Sequence, residues 1–243
     1  ESIKYFSTRY KKEDCLDLPE KLYIKRYVEL TTEQKKAYEQ MKKEAIMILE
    51  EETFTTVNVL TQLMRLQQVV AGSLRGPDGK IIKLKNNRLQ SVLDVIEETQ
   101  GKVVIFGVFH TDIETLAEAL QSKYGKNSTA TYYGNTPQSE RQNIITRFQD
   151  PDSELKYFIS NPMTGGRGIT LTEANVIIYY SNSYDLELRI QSEDRIHRIG
   201  QDNKCTYVDL VSPDTVDEHI LKTLLNKVKI SNEILGEVRQ WFD

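Results

Sequence analysis

The strongest constraint on the fold is an alternation that begins near Asn87 and continues to the end of the chain. Short apolar, β-rich runs follow one another with amphipathic helical stretches between them. Strands are expected at Lys102–Val108 (KVVIFGV), Thr129–Tyr133, Leu155–Ser160 (LKYFIS), Val176–Tyr180 (VIIYY) and Thr206–Val211. Helices are expected at Arg88–Glu98, Asp112–Tyr124, Gln138–Phe148 and Leu186–Arg198, with a last one from Thr215 to about Val228. Successive strands joined through helices run parallel, and their sheet is covered on both faces. The fold class is therefore α/β.

Before Asn86 the pattern is different and mostly helical. After an expected strand at Lys21–Leu30, Thr31 and Gln34 form a capping box for a helix through Lys35–Glu52. A second helix is expected at Thr56–Ala71, where Val59, Leu63, Leu66 and Val70 line up as an apolar stripe. The run SLRGPDGKIIK then carries Gly76, Pro77 and Gly79, a turn signal that suits a small hairpin. The chain divides into an entry linker (1–30), a helical appendage (31–85) and the α/β domain (86–243).

Composition removes several classes. At 39% hydrophobic and 28% charged, the 243 residues can bury a core. No apolar run approaches the length of a membrane span, and ESIKYFSTRYKKEDC has no signal-peptide core. The chain opens without methionine, so a longer parent protein is expected. Cys15 and Cys205 stand alone, and His110, His197 and His219 are far apart. Neither set suits a disulfide framework or a metal site, so no metal is expected, and a reducing cytoplasmic setting fits. A net charge of −4 provides no general attraction to nucleic acid, so any such contact must come from a local groove.

Two stretches carry chemistry. In Gln191 to Gln201 (QSEDRIHRIGQ), Gln191, Arg195 and Arg198 are spaced i, i+4 and i+7 and share one face of the expected helix. Guanidiniums one turn apart repel unless an anion lies between them, and each presents a fork suited to phosphate. One reading is a polyphosphate sensor; the other is a solvated face with the arginines paired to Glu193 and Asp194. Upstream, the loop NPMTGGRGITLT follows a strand, and Gly165, Gly166 and Gly168 let backbone amides approach a ligand closely. In parallel sheets ligands bind at the carboxyl ends of strands, where this loop lies.

QSEDRIHRIGQ resembles motif VI of the helicase-like ATPases of the Swi/Snf family, matching at Gln191, Asp194, Arg195, His197, Arg198, Ile199, Gly200 and Gln201. GGRGITLT resembles motif V of the same family, with Thr170 in place of the usual Asn and with Thr164 and Arg167 less usual. GKVVIFGVFHTDIETLAEAL resembles motif IV. YYGNTPQSERQNIITRFQ resembles the next block, with Tyr133 where an acidic residue is usual. RYKKEDCLDLPEKLYIKRYVELTTEQKKAY resembles the linker into the family's second lobe.

The resemblance implies a C-terminal RecA-like lobe: a parallel sheet with helices on both faces, plus the helical appendage. It implies an ATP-driven translocase on double-stranded DNA, acting as a monomer. Arg195 and Arg198 would be its arginine fingers, Gln191, Gly166 and Gly168 ATP contacts, and Thr164, Gly165, Arg141 and Asn135 DNA contacts. No GxxxxGK[ST] loop and no acidic Mg²⁺ box occur in the chain. The resemblance assigns both to an upstream RecA-like lobe, which would hold the Mg²⁺ that accompanies ATP, and implies that this chain alone does not turn ATP over. Two further readings stay open: a non-enzymatic RecA-like nucleotide- or protein-binding module, and an independent α/β transferase with a site of its own.

Overall fold

A computed structural model describes residues 16–51, 56–76, 79–166 and 168–225. Its main sheet has six strands in the order β1-β8-β7-β4-β6-β5: β1 (Lys21–Tyr27), β4 (Lys102–Phe106), β5 (Thr129–Tyr132), β6 (Tyr157–Ser160), β7 (Ala174–Tyr179) and β8 (Cys205–Val211). Every neighbouring pair in it is parallel. The strands' carboxyl ends therefore form one edge, with Phe106, Ser160 and Tyr132 side by side in register.

Alternate residues of the strands enter two cores. On one face Val103, Ile105, Ile159 and Ile178 meet α3 (Arg88–Glu98) and α4 (His110–Tyr124) through Val92, Ile96, Ile113 and Leu116. On the other, Val104, Phe158, Ile177 and Tyr207 meet Ile144 and Phe148 of α5 (Gln138–Gln149), with Ile169, Leu171 and Ile196. Burial of both faces is why these strands read as continuous apolar runs. Lys102 is also buried at the start of β4; its Nζ donates to the Phe148 carbonyl at 2.7 Å and to that of Asp150, capping the end of α5.

A third core joins α1 (Thr32–Glu51), α2 (Thr56–Ala71) and the antiparallel hairpin β2 (Ser73–Arg75) and β3 (Ile81–Lys83) to Val216 of α8 (Val216–Leu225). The capping box forms as expected: Thr31 N donates to Gln34 Oε1 at 3.1 Å and Gln34 N to Thr31 Oγ1 at 3.2 Å. Gln34 Nε2 also reaches the Val69 and Val70 carbonyls, both at 3.0 Å, locking α1 onto the end of α2. All four stripe residues of α2 are fully buried.

Two findings refine the sequence reading. The strand expected at Lys21–Leu30 forms over Lys21–Tyr27 and is the edge strand of the main sheet, paired with β8 over its whole length. The helix expected to run to Arg198 stops at Glu193: α7 spans Leu186–Glu193, with Asp194 as its C-cap. Arg195 and Arg198 therefore do not share a helix face with Gln191. They lie in the turn that follows, where Ile196 is pulled into the core. The expected last helix is seen to Leu225; its continuation to Val228 lies outside the described residues, as do Cys15, Pro77 and Arg167.

Candidate nucleotide and nucleic-acid site

The arginine turn is built mostly by contacts that leave little of its motif free. Gln201 is buried, and its amide donates to the carbonyls of Thr172 (3.0 Å), Ala174 (2.8 Å) and Ile196 (3.2 Å), pinning the turn to the glycine loop. Gly200 has φ +94, a conformation a side chain disfavours. His197 Nε2 meets the Pro19 carbonyl at 2.8 Å. Leu171 N donates to the Arg195 carbonyl at 2.9 Å. The long match in this stretch thus reports its fold as much as its chemistry.

Two side chains of the turn, Arg195 and Arg198, and Gln191 at the end of α7 are the expected ligand contacts here. Arg195 is half-buried; Nε donates to the Gln191 carbonyl and Nη1 to the Ile169 carbonyl, each at 2.9 Å. Burial, then the nearby charge of Arg198, hold its guanidinium below the usual arginine range. Arg198 is exposed, and its guanidinium has no hydrogen-bond or ion-pair partner among the described residues. Gln191 Nε2 donates to Glu187 Oε1 at 2.9 Å, but its Oε1 is buried and accepts from nothing among the described residues. The alternative reading, in which the two arginines pair with Glu193 and Asp194, is met only by the charge of Asp194 near Arg195; no ion pair of either arginine with these carboxylates forms. Glu193 pairs with Arg189 at 2.9 Å and Lys21 at 2.9 Å instead.

Each glycine of the loop has its own physical reason. A Cβ on Gly165 would lie 2.3 Å from Ser160 Oγ, and one on Gly166 2.1 Å from the Pro162 carbonyl oxygen. Both are buried against the end of β6, whereas Gly168 is exposed with φ +71. Thr164, in the short helix α6 (Pro162–Gly165), gives its N–H to the capping Asn161 Oδ1 at 2.8 Å. Its side chain is half-buried.

At the neighbouring β5 end, Arg141 is turned inward. Nε donates to the Thr136 carbonyl and Nη2 to the Tyr133 carbonyl, both at 3.2 Å, and the guanidinium lies 5.4 Å over the Tyr132 ring. Arg141 thereby shapes the turn that exposes Asn135. Sequence reasoning passed over His110, whose exposed ring meets Tyr133 edge-on at 5.2 Å. The two come from separate segments, and only the parallel register brings them together over the end of β6. The carboxyl strand ends thus carry polar and aromatic groups from Tyr133 to Thr164, whereas the arginine turn lies by the amino ends of β1, β7 and β8, near Pro19, Ala174 and Cys205. Among the described residues no group of His, Cys, Asp or Glu could hold a metal ion, and no helix is long and apolar enough to cross a membrane.

The six-stranded parallel sheet with helices on both faces has the architecture of a RecA-like C-terminal lobe. Residues 84–200 match the helicase conserved C-terminal domain, and SWI/SNF-related proteins and ATP-dependent helicases are among the relatives of the chain. An uncharacterised ATP-dependent helicase of Mycoplasma genitalium is 25% identical over 96% of this chain. The mouse SWI/SNF-related matrix-associated actin-dependent regulator of chromatin subfamily A member 1 is 28% identical over 98%. The chain spans 23% and 24% of those two proteins. The C-terminal part of the Fun30 ATPase domain superposes with a TM-score of 0.71 at 18% identity, over 93% of this chain and 97% of that one. The Sulfolobus solfataricus SWI2/SNF2 ATPase core in complex with dsDNA gives 0.68 at 24% identity, over 96% and 49%. At these identities the structural likeness speaks for the fold.

Proposed function

We propose that this chain is the second motor lobe of an ATP-dependent translocase on double-stranded DNA. The observation that carries the reading is the exposed Arg198 guanidinium, without a hydrogen-bond or ion-pair partner among the described residues, near the charge of Arg195 in a turn held at the amino ends of β1 and β7. Like charges near each other, neither in an ion pair among the described residues, suit an anion approaching from outside. The unengaged Gln191 Oε1 at the same place suits a polar ligand too. ATP fits this turn as half of its site: Arg195 and Arg198 would hold terminal phosphate oxygens and offset charge in the transition state, with Gln191, Gly166 and Gly168 at its border. Phosphate and Mg²⁺ would be cradled by an upstream lobe, since this chain has no phosphate loop. Hydrolysis of the bound triphosphate supplies the free energy for closing and reopening the two lobes.

At the carboxyl ends of β5 and β6, Thr164, Gly165 and Asn135 would face a DNA backbone, with Arg141 setting the turn that presents Asn135. Contacts to backbone phosphates hold register without reading bases, as translocation requires. A dsDNA-bound core among the solved relatives is in keeping with this partner. We place the motor as a monomer inside the cell, in the cytoplasm, or in the nucleus if the source is eukaryotic.

The test is DNA-stimulated ATP turnover by the full-length protein. Arg195→Ala and Arg198→Ala are expected to abolish the stimulation, and the 243-residue chain alone is expected to be inactive. Stimulated turnover that survives both substitutions would reduce this lobe to a binding module.

A further inference from the structure

α7 and the entry segment meet through a buried polar lattice that neither motif predicts. Arg189, 6% exposed, donates Nη1 to Asp209 Oδ1 at 2.5 Å, Nη2 to Asp209 Oδ2 at 3.1 Å and Nε to Glu193 Oε1 at 2.9 Å. Its guanidinium lies 3.6 Å from the Tyr179 ring centre. The other Glu193 oxygen, Oε2, accepts from Lys21 Nζ at 2.9 Å and Tyr23 OH at 2.8 Å. Burial opposes the charged form of Glu193, yet Arg189 and Lys21 outweigh it and hold the carboxyl below its usual range.

Glu193 is also where the arginine turn begins. Its carbonyl accepts from Ile196 N at 3.3 Å, His197 N at 3.2 Å and Tyr207 OH at 3.3 Å. The entry segment grips the turn a second time where Pro19 O meets His197, between the two arginines. Residues Pro19–Tyr23 therefore hold the turn on either side of Arg195.

We infer that Glu193, Lys21 and Tyr23 are positioning residues, through which the segment entering from an upstream lobe sets the placement of Arg195 and Arg198. This rests on the motor reading above. A carboxylate tied to two cations and a phenol has one low-energy position, so a pull on β1 is passed to the turn instead of being absorbed by side-chain rotation. Arginines displaced by about 1 Å would lose on the order of 10²-fold in rate, with little change in how ATP is held by the other lobe.

The experiment compares wild type, Lys21→Met, Lys21→Arg, Tyr23→Phe and Glu193→Gln in the full-length protein, by kcat and KM for ATP with saturating duplex DNA. Lys21→Met combined with Tyr23→Phe is expected to lower kcat by about tenfold to a hundredfold with KM for ATP within about twofold. Lys21→Arg is expected to keep wild-type kcat, because the cation is retained. Glu193→Gln is expected to match or exceed the double variant; if it fails to fold, the half-exposed Lys21 and Tyr23 still decide the matter. A kcat indifferent to the Lys21 and Tyr23 substitutions in an active motor overturns this inference alone. A wild-type protein without DNA-stimulated turnover overturns the motor reading and this inference with it.

Discussion

The body of α7 and the turn that follows it treat their arginines in opposite ways. Arg189 is buried, with both Asp209 oxygens, the Asn182 amide oxygen and a Glu193 oxygen around it. Arg198, on the same segment, reaches solvent with no such partner among the described residues. Arg195 stands between them, anchored by two backbone carbonyls and no carboxylate. A cation enclosed by anions has its electrostatic need met inside the fold, and losing a partner strands a buried charge. A cation left open costs the fold nothing and remains available to a ligand. The difference separates arginines that hold the site from arginines that act in it, which residue type alone does not do.

The contrast can be broken most sharply at Arg198. Arg198→Ala in the full-length protein is expected to lower DNA-stimulated turnover by about 10³–10⁵-fold, while urea unfolding of the lobe moves by less than about 0.5 kcal/mol. Arg189→Ala is the converse: a loss of about 3–5 kcal/mol in unfolding free energy, because Asp209 is left buried and unpaired. If both variants behaved alike in both assays, the distinction would collapse.

Asp112 sharpens the comparison from the acidic side. It is buried like Glu193, but Ser181 Oγ at 2.7 Å and Phe109 N at 3.3 Å hold it instead of a dedicated cation. Burial pushes its carboxyl up to about 7 from 3.8. The folded state then binds the proton more tightly than the unfolded chain, so Asp112 lowers stability as pH rises from about 4 to about 7 and adds no penalty below that window. Asp112→Asn is accordingly expected to gain a few kcal/mol over wild type at pH 8 and to lose that advantage by pH 4, read from urea midpoints across pH. Smaller effects belong to backbone conformation and capping. Gly168→Ala is expected to cost about 1–2 kcal/mol from its positive φ alone, since a Cβ there meets open space. In the appendage, Thr31→Ala is expected to cost about 1 kcal/mol through the lost cap, measured by thermal unfolding.

Much of the architecture was legible beforehand because it rests on local signals. Strand–helix alternation, the Thr31–Gln34 capping box and the α2 stripe each depend on residues close in sequence, and each is found where expected. The site was legible only in part. Arg195 and Arg198 could be picked out as residue types suited to phosphate, but not their geometry. The helical spacing that grouped them with Gln191 ends at Glu193, because burying Ile196 and clamping Gln201 outweigh one more turn of α7. Arg141 looked like a nucleic-acid contact, yet its guanidinium is taken by the carbonyls of its own turn.

From the sequence alone came the α/β class, the division near Asn86, the family resemblance and the lack of a phosphate loop. These follow from periodicity, turn chemistry and motif order, which are written along the chain. Tertiary structure decided that Lys21–Tyr27 belongs to the sheet, that His110 reaches Tyr133, and which arginines are enclosed and which are open. The physical reason is that a charge's environment is set by groups far away in sequence. Lys21 and Asp209 take their places around α7 only once the parallel register has brought β1, β7 and β8 together.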